Sequence, residues 1–210
     1  APNYSLTQPT TAADITAKTL TVTGITANNK VYDGNTTATL NTGSAALVGV
    51  VVGDTVTLST AGATGAFADK SVGTGKTVTV SGLTIGGADA PNYSLTQPTT
   101  AADITAKGLT GSITADNKVY DGTTAATIAS RILSGVIGAD DVSYGGGTAT
   151  CADPNGGTGK TVTATGLTLS GADADNYTVN STATTTANIA QAPTTATVNV
   201  LPNPQQYSDR

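Results

Sequence analysis

GTGKTVTVSGLTIGGADAPNY, residues 73–93, sets Val78 and Val80 between Thr77 and Thr79, then Leu83 and Ile85 around Thr84. Apolar and hydroxyl side chains on a period of two place one face in a core and the other in water, so residues 77–85 predict a half-buried strand. The same stretch returns as GTGKTVTATGLTLSGADADNY at 157–177. TVTLS at 55–59 alternates likewise, Leu20, Val22 and Ile25 suggest a first strand bent at Gly24, and DITA at 103–106 suggests a last one. Turn residues punctuate these runs at Asp33-Gly34, Gly53-Asp54, Gly73-Thr74-Gly75 and Gly86-Gly87.

Repetition sets the organisation. Residues 1–18, APNYSLTQPTTAADITAK, recur unchanged at 90–107, and ITANNKVYDG at 25–34 reappears as ITADNKVYDG at 113–122. The expected division is therefore 1–18 as the tail of a preceding repeat, 19–107 and 108–190 as two full repeats, and 191–210 as the start of a following, divergent β domain. With no Met among its 210 residues, the chain reads as a slice of a longer tandem array. Each repeat has the length and strand spacing of one small sandwich, so the expected fold is all-β: tandem immunoglobulin-like β-sandwich repeats forming a rod.

Composition narrows the chemistry. Thr makes up about a fifth of the chain and Gly contributes 25 residues, which disfavours helix and favours strands and turns. All 14 acidic residues are Asp, and His is absent, so acid–base catalysis near pH 7 lacks its usual groups. A net charge of -5 with only 9 Lys and Arg argues against a nucleic-acid surface. No apolar run approaches the roughly 20 residues of a membrane span. No cofactor is expected and no nucleophile–base pair recurs, so the chain is expected not to be an enzyme.

Recurring residues are the candidate structural anchors. One tyrosine per repeat follows Lys-Val and opens Tyr-Asp-Gly, as Tyr32-Asp33-Gly34 and Tyr120-Asp121-Gly122; another follows Asn late in the repeat, as Tyr93 and Tyr177. With aromatics at only 4% of the chain, these read as core anchors before ligand platforms. Asp precedes the late tyrosine by four residues in GADAPNY and GADADNY, a resemblance to the tyrosine corner of immunoglobulin-like sandwiches. ITANNKVYDGNTTATL, followed by GTGKTVTVSGLTIGGADAPNYSL and TTAADITA, resembles the YDG repeat of secreted bacterial surface proteins, associated with the mostly bacterial immunoglobulin-like repeat. The resemblance implies an adhesin of filamentous-haemagglutinin type, displayed outside the cell, with no catalytic residue in these repeats.

Other signals have bland readings. Gly73-Thr74-Gly75-Lys76-Thr77 mimics the end of a phosphate loop, but Lys70 and Pro154 stand where its first glycine belongs, so a tight turn entering a strand is expected. Cys151 aligns with Phe67 and is expected to fill a core position; a chain with a single Cys suits export before folding. Asp140-Asp141 and Asp173-x-Asp175 have the oxygen ligands calcium takes. Their counterparts, read as Gly53-Asp54 and Asp89-x-Pro91, each carry one carboxylate fewer, which favours solvated turns. Five Asn-x-Ser/Thr sequons, at Asn3, Asn35, Asn92, Asn176 and Asn180, barely exceed the three to four that chance gives. Lys30 and Lys118 are the recurrent lysines that a stalk isopeptide crosslink would use.

The functional expectation is a structural stalk in a large secreted adhesin or extracellular filament, supporting cell-surface or biofilm attachment. Its partners would be neighbouring repeats of the same protein, neighbouring chains through the cut-end strands Tyr4–Leu6 and Ala196–Val200, and a host or matrix surface through domains outside this slice. The alternatives are a carbohydrate- or matrix-binding module acting through loops Ala61–Phe67 and Gly145–Ala149, and an accessory spacer beside an enzyme domain.

Overall fold

The computed structural model describes residues 3–199, and the protein over that span is all-β, with no α-helix among the described residues. The chain divides into two compact units. The first comprises residues 1–108 together with two short segments of the second repeat, Ile137–Asp140 and Ala172–Thr178. The second comprises 109–136, 141–171 and 179–210.

In the first unit a five-stranded sheet runs in the order Lys30–Val31, Thr99–Thr105, Gly73–Ser81, Thr64–Phe67, Thr37–Ala38. Lys18–Thr23 works at both ends: Lys18 to Leu20 pair in parallel with Tyr93 to Leu95, and Thr21 to Thr23 pair antiparallel with Val48 to Ala46. Alternation does what the residues require, since Leu20, Val78 and Val80 are each fully buried while the threonines between them face out. Val22, Val80 and Leu83 form a core cluster under Leu40, Leu47, Leu58 and Leu95.

The second unit repeats the five-stranded order with Lys118–Val119, Thr182–Ala190, Gly157–Ser170, Ser143–Cys151 and Ala125–Ala126. Ile128–Ser134 pairs antiparallel with the strand ending at Ala115, from Thr110 opposite Ser134 onward. Cys151 occupies the place of Phe67 in this core, 5% exposed against 3%, and each backbone N–H reaches the same turn, Phe67 to Thr36 and Cys151 to Thr124.

Several sequence expectations are corrected. The strand expected over 77–85 is split into Gly73–Ser81 and Thr84–Gly86, whereas its counterpart Gly157–Ser170 runs unbroken, although Gly82 and Gly166 share a positive φ of +79° and +74°. The strand expected at 55–59 covers only Thr57–Ser59. Gly73-Thr74-Gly75-Lys76 is no turn before a strand; it lies within one, at a bulge where the register shifts between Ala102 and Ile104. Gly75 takes φ +58° there and its N–H donates to Asp103, an arrangement repeated by Gly159 at φ +63° and Asn188. Most of Ala61–Phe67 and all of Gly145–Ala149 are strand rather than loop. Tyr4–Leu6 and 196–199 form no strand, and Val200 lies outside the described residues with the rest of 200–210. Tyr4 and Leu6 are exposed, and no ladder with either is made among the described residues.

The two cores solve one volume problem in two ways. Repeat alignment sets Gly111 against Val22 and Tyr144 against Leu58. A Cβ at Gly111 would lie 2.2 Å from the Tyr144 ring, so the tyrosine fills the space that Val22 and Leu58 share in the first unit. Tyr144 Oη then donates to the Asn180 carbonyl, and the Asn180 side chain accepts from Gly111 N and donates to Gly111 O. Gly111→Val is expected to cost about 1–3 kcal/mol through overpacking. Adding Tyr144→Leu should recover most of that loss; urea denaturation of both variants that shows no recovery would break the link between the two positions.

Candidate functional site

Tyr177 opens a short strand after the single turn Ala174–Asn176, and its hydroxyl reaches the loop Ile137–Asp140 in the same unit. There it accepts from Ile137 N at 3.0 Å and donates to Asp140 Oδ2 at 2.7 Å. Tyr32 Oη donates to the same oxygen at 2.8 Å, and Lys70 Nζ reaches Oδ1 at 3.2 Å. Asp140 is only 10% exposed, so both carboxylate oxygens are removed from water and met by protein donors. The two tyrosine rings meet edge to face, centroids 5.3 Å apart, and Lys70 also lies 3.7 Å from Asp173. Asn176 Oδ1 accepts from Val72 N at 3.0 Å beside this cluster.

Each group is biased toward the form it needs. Tyr177, then Tyr32, hold the Asp140 carboxyl below its ordinary value against the opposing effect of burial, with Lys70 adding to the lowering. Burial, and then the hydrogen bond donated to Asp140, push the Tyr177 hydroxyl up to about 12. Near neutral pH the carboxylate is ionised and the phenol protonated, each already engaged. Chemically the arrangement is a clamp.

The late tyrosine of the first repeat makes a similar but smaller set of bonds. Tyr93 Oη accepts from Val51 N at 3.1 Å and donates to Asp54 Oδ2 at 2.6 Å. Val51, Asp54 and Tyr93 thus correspond to Ile137, Asp140 and Tyr177, which moves the sequence alignment by one residue: Asp54 matches Asp140, and Thr55 matches Asp141. Unlike a tyrosine corner, the hydroxyl ties back about 40 residues and to a carboxylate as well as to backbone.

Other predicted residues fall as follows. Tyr32 is 1% exposed, whereas Tyr120, expected as an anchor of the same kind, is 45% exposed. Asp33 and Asp121 hold their turns: Asp33 accepts from Lys30 Nζ and Asn35 N, and Asp121 from Lys118 Nζ and Thr123 N. Lys118, first, and the Thr123 bonds hold Asp121 at about 2. Gly34 and Gly122 supply positive φ, +79° and +76°, that a side chain would strain. Of the calcium candidates, Asp140 and Asp173 face the Lys70 ammonium and Asp175 is exposed. A crosslink from these lysines would reach Asn or Asp: Lys30 lies 3.1 Å from Asn35 Oδ1, a contact that Thr123 replaces at Lys118, whereas the lysine–aspartate pair recurs, Lys30 with Asp33 at 2.7 Å and Lys118 with Asp121 at 2.8 Å. Asn176, a sequon residue, is buried. Sequence reasoning missed Lys70 and Asn176 as clamp residues; that Lys70 stands opposite Pro154 was the visible trace of a difference between the repeats.

Compared with known families, the sequence matches the YDG domain twice, over residues 16–101 and 105–199. The chain belongs to the YDG domain family. No curated protein and no solved structure matches it. Within this YDG chain the signature triplet has distinct duties, Tyr32 for the clamp, Asp33 for the turn and Gly34 for its left-handed backbone. No helix among the described residues is long and apolar enough to cross a membrane.

Because a depressed native pKa is expected, Asp140 contributes stability that is present above the ordinary carboxyl value of 3.8 and lost as pH falls through its lower native value. Carboxyl-carbon NMR should show Asp140 titrating below 3.8, and Tyr177→Phe should move that midpoint upward. An unchanged midpoint in the variant would remove the hydroxyl as its main cause. The sign is opposite for Tyr177: its raised value adds stability fully present below about pH 10, lost as pH rises through about 12.

Proposed function

We propose that these YDG domains are stalk modules of a large secreted bacterial surface protein, an adhesin of filamentous-haemagglutinin type or an extracellular filament. In this reading each repeat is an immunoglobulin-like sandwich that adds length between the cell and an adhesive tip. The observation that supports it best is the unchanged return of residues 1–18 at 90–107 within a chain that matches one family twice. A module used for length is served by copying, whereas a recognition surface is served by divergence.

The clamp supports the same reading. Its polar groups satisfy one another, and the chemistry stabilises a fold rather than acting on a substrate. The groups a catalyst would leave available are consumed in holding loop to strand, so the chain is read as no enzyme. At about 3.3 Å per strand residue, a module contributes roughly 30–40 Å. A target on host or matrix would be met by domains other than these.

Antibody raised against the chain should label intact, unpermeabilised cells of the source bacterium. Removing one, two or three repeats from the gene should shorten the reach of the tip in equal steps while leaving its binding specificity unchanged. Label confined to permeabilised cells, or specificity that changes with repeat deletion, would overturn the proposal.

A further inference from the structure

Three places in the chain set an Asp or Asn before a glycine: Asp33-Gly34, Asp121-Gly122 and Asn155-Gly156. Of the 13 Asn, Asn155 alone is followed by Gly. Such pairs share one latent reaction, because a glycine, lacking a side chain, lets its own amide nitrogen approach the preceding side-chain carbon closely. The fold treats the three differently. Asp33 accepts from Lys30 Nζ at 2.7 Å and Asn35 N at 3.1 Å, and Asp121 from Lys118 Nζ at 2.8 Å and Thr123 N at 2.9 Å. Each is an ion-paired carboxylate drawn toward the N–H two residues on, and a carboxylate ion resists attack by a nitrogen nucleophile.

Asn155 has neither protection. Its backbone N–H donates to Asp153 Oδ1 at 2.9 Å, closing a turn, while its carboxamide is exposed and makes no hydrogen bond among the described residues. Turn and exposure belong to the repeat itself. In the first repeat Ser71 N donates to Asp69 Oδ1 at 2.8 Å, and Lys76 holds Asp69 as Lys160 holds Asp153. Ser71, which corresponds to Asn155, is exposed there too, in the interior of the chain with repeat sequence on both sides. The loop lies between strands Ser143–Cys151 and Gly157–Ser170, so the Asn155-Gly156 peptide sits in no ladder.

We infer that Asn155-Gly156 is a self-modification site, at which the folded chain converts Asn155 to isoaspartate and aspartate. Deprotonated Gly156 N attacks Asn155 Cγ; the new C–N bond closes a succinimide ring as the Cγ–Nδ2 bond breaks, and the proton lost from Gly156 leaves with the amide nitrogen as ammonia. Water then opens the ring, at the Cγ carbonyl to give aspartate or at the Asn155 main-chain carbonyl to give isoaspartate. One water is consumed and one ammonia released, so the step needs neither oxidant nor cofactor. Either product adds a carboxylate to a chain of net charge -5, and isoaspartate also lengthens the main chain by a methylene just before the strand that Gly157 opens. The site does not depend on the stalk reading.

Folded full chain held for weeks at neutral pH should lose the Asn155 carboxamide before that of any other Asn. Peptide mapping reads this as the mass increase from amide to acid, and backbone fragmentation separates isoaspartate from aspartate. Asp33 and Asp121 should stay unisomerised in the folded chain, whereas in guanidinium, with their lysine pairs gone, isoaspartate should form at both. Gly156→Val installs the residue that the first repeat carries at this place, and the added Cβ would lie 3.4 Å from Ile189 O, its nearest neighbour. That variant should stop the conversion, with circular dichroism showing it folded. An Asn155 amide that survives in the folded chain while converting in the unfolded one, conversion undiminished by Gly156→Val, or isoaspartate at Asp33 or Asp121 of the folded chain ahead of Asn155 would overturn the inference.

Discussion

A carboxylate nine-tenths removed from water must be met by donors on both oxygens, and Asp140 draws its surroundings together on those terms. Two phenols share one oxygen and an ammonium approaches the other. Leaving any of these out would strand a charge in a partly desolvated site. One loop, one turn and one sheet edge of the first unit are thereby held in a single arrangement, and most of what distinguishes Tyr32 from Tyr120 follows from whether that carboxylate is present.

Polar fastening matters more here than in a protein with a heavier core. Aromatics are scarce, and the buried clusters are small: Val22, Val80 and Leu83 in the first unit, and in the second four alanines with Ile113, Tyr144, Cys151, Val162, Leu167 and Ile189. With so little apolar surface per residue, each core position must be well filled, which is why the second unit offsets the missing Val22 side chain with a tyrosine. Recurrent side-chain bonds to backbone do similar work at the surface. Lys30 and Lys118 each gather two carbonyls around the Tyr-Asp-Gly turn, and Asp103 and Asn188 each cap a glycine bulge.

These features favour a module whose value is its fold. Turns, bulge and the tyrosine–carboxylate bond recur in both repeats. Pro154 stands in place of Lys70, and Gly156, in place of Val72, borders a groove with Lys118 and Asn188.

Much of this was legible before any coordinates. Thr–Val alternation determined strands and their buried faces, because a period of two admits no other regular structure; the internal identities determined the repeats; and alignment with Phe67 determined that Cys151 lies in a core. Tertiary structure alone decided what Tyr32, Tyr120 and Asp140 do. Tyr32 and Asp140 stand 108 residues apart, and local sequence around Tyr32 is nearly the same as that around Tyr120. Burial and partner are long-range properties, fixed by which segment folds back over each residue, and identical local sequences can therefore end in water or beneath a carboxylate.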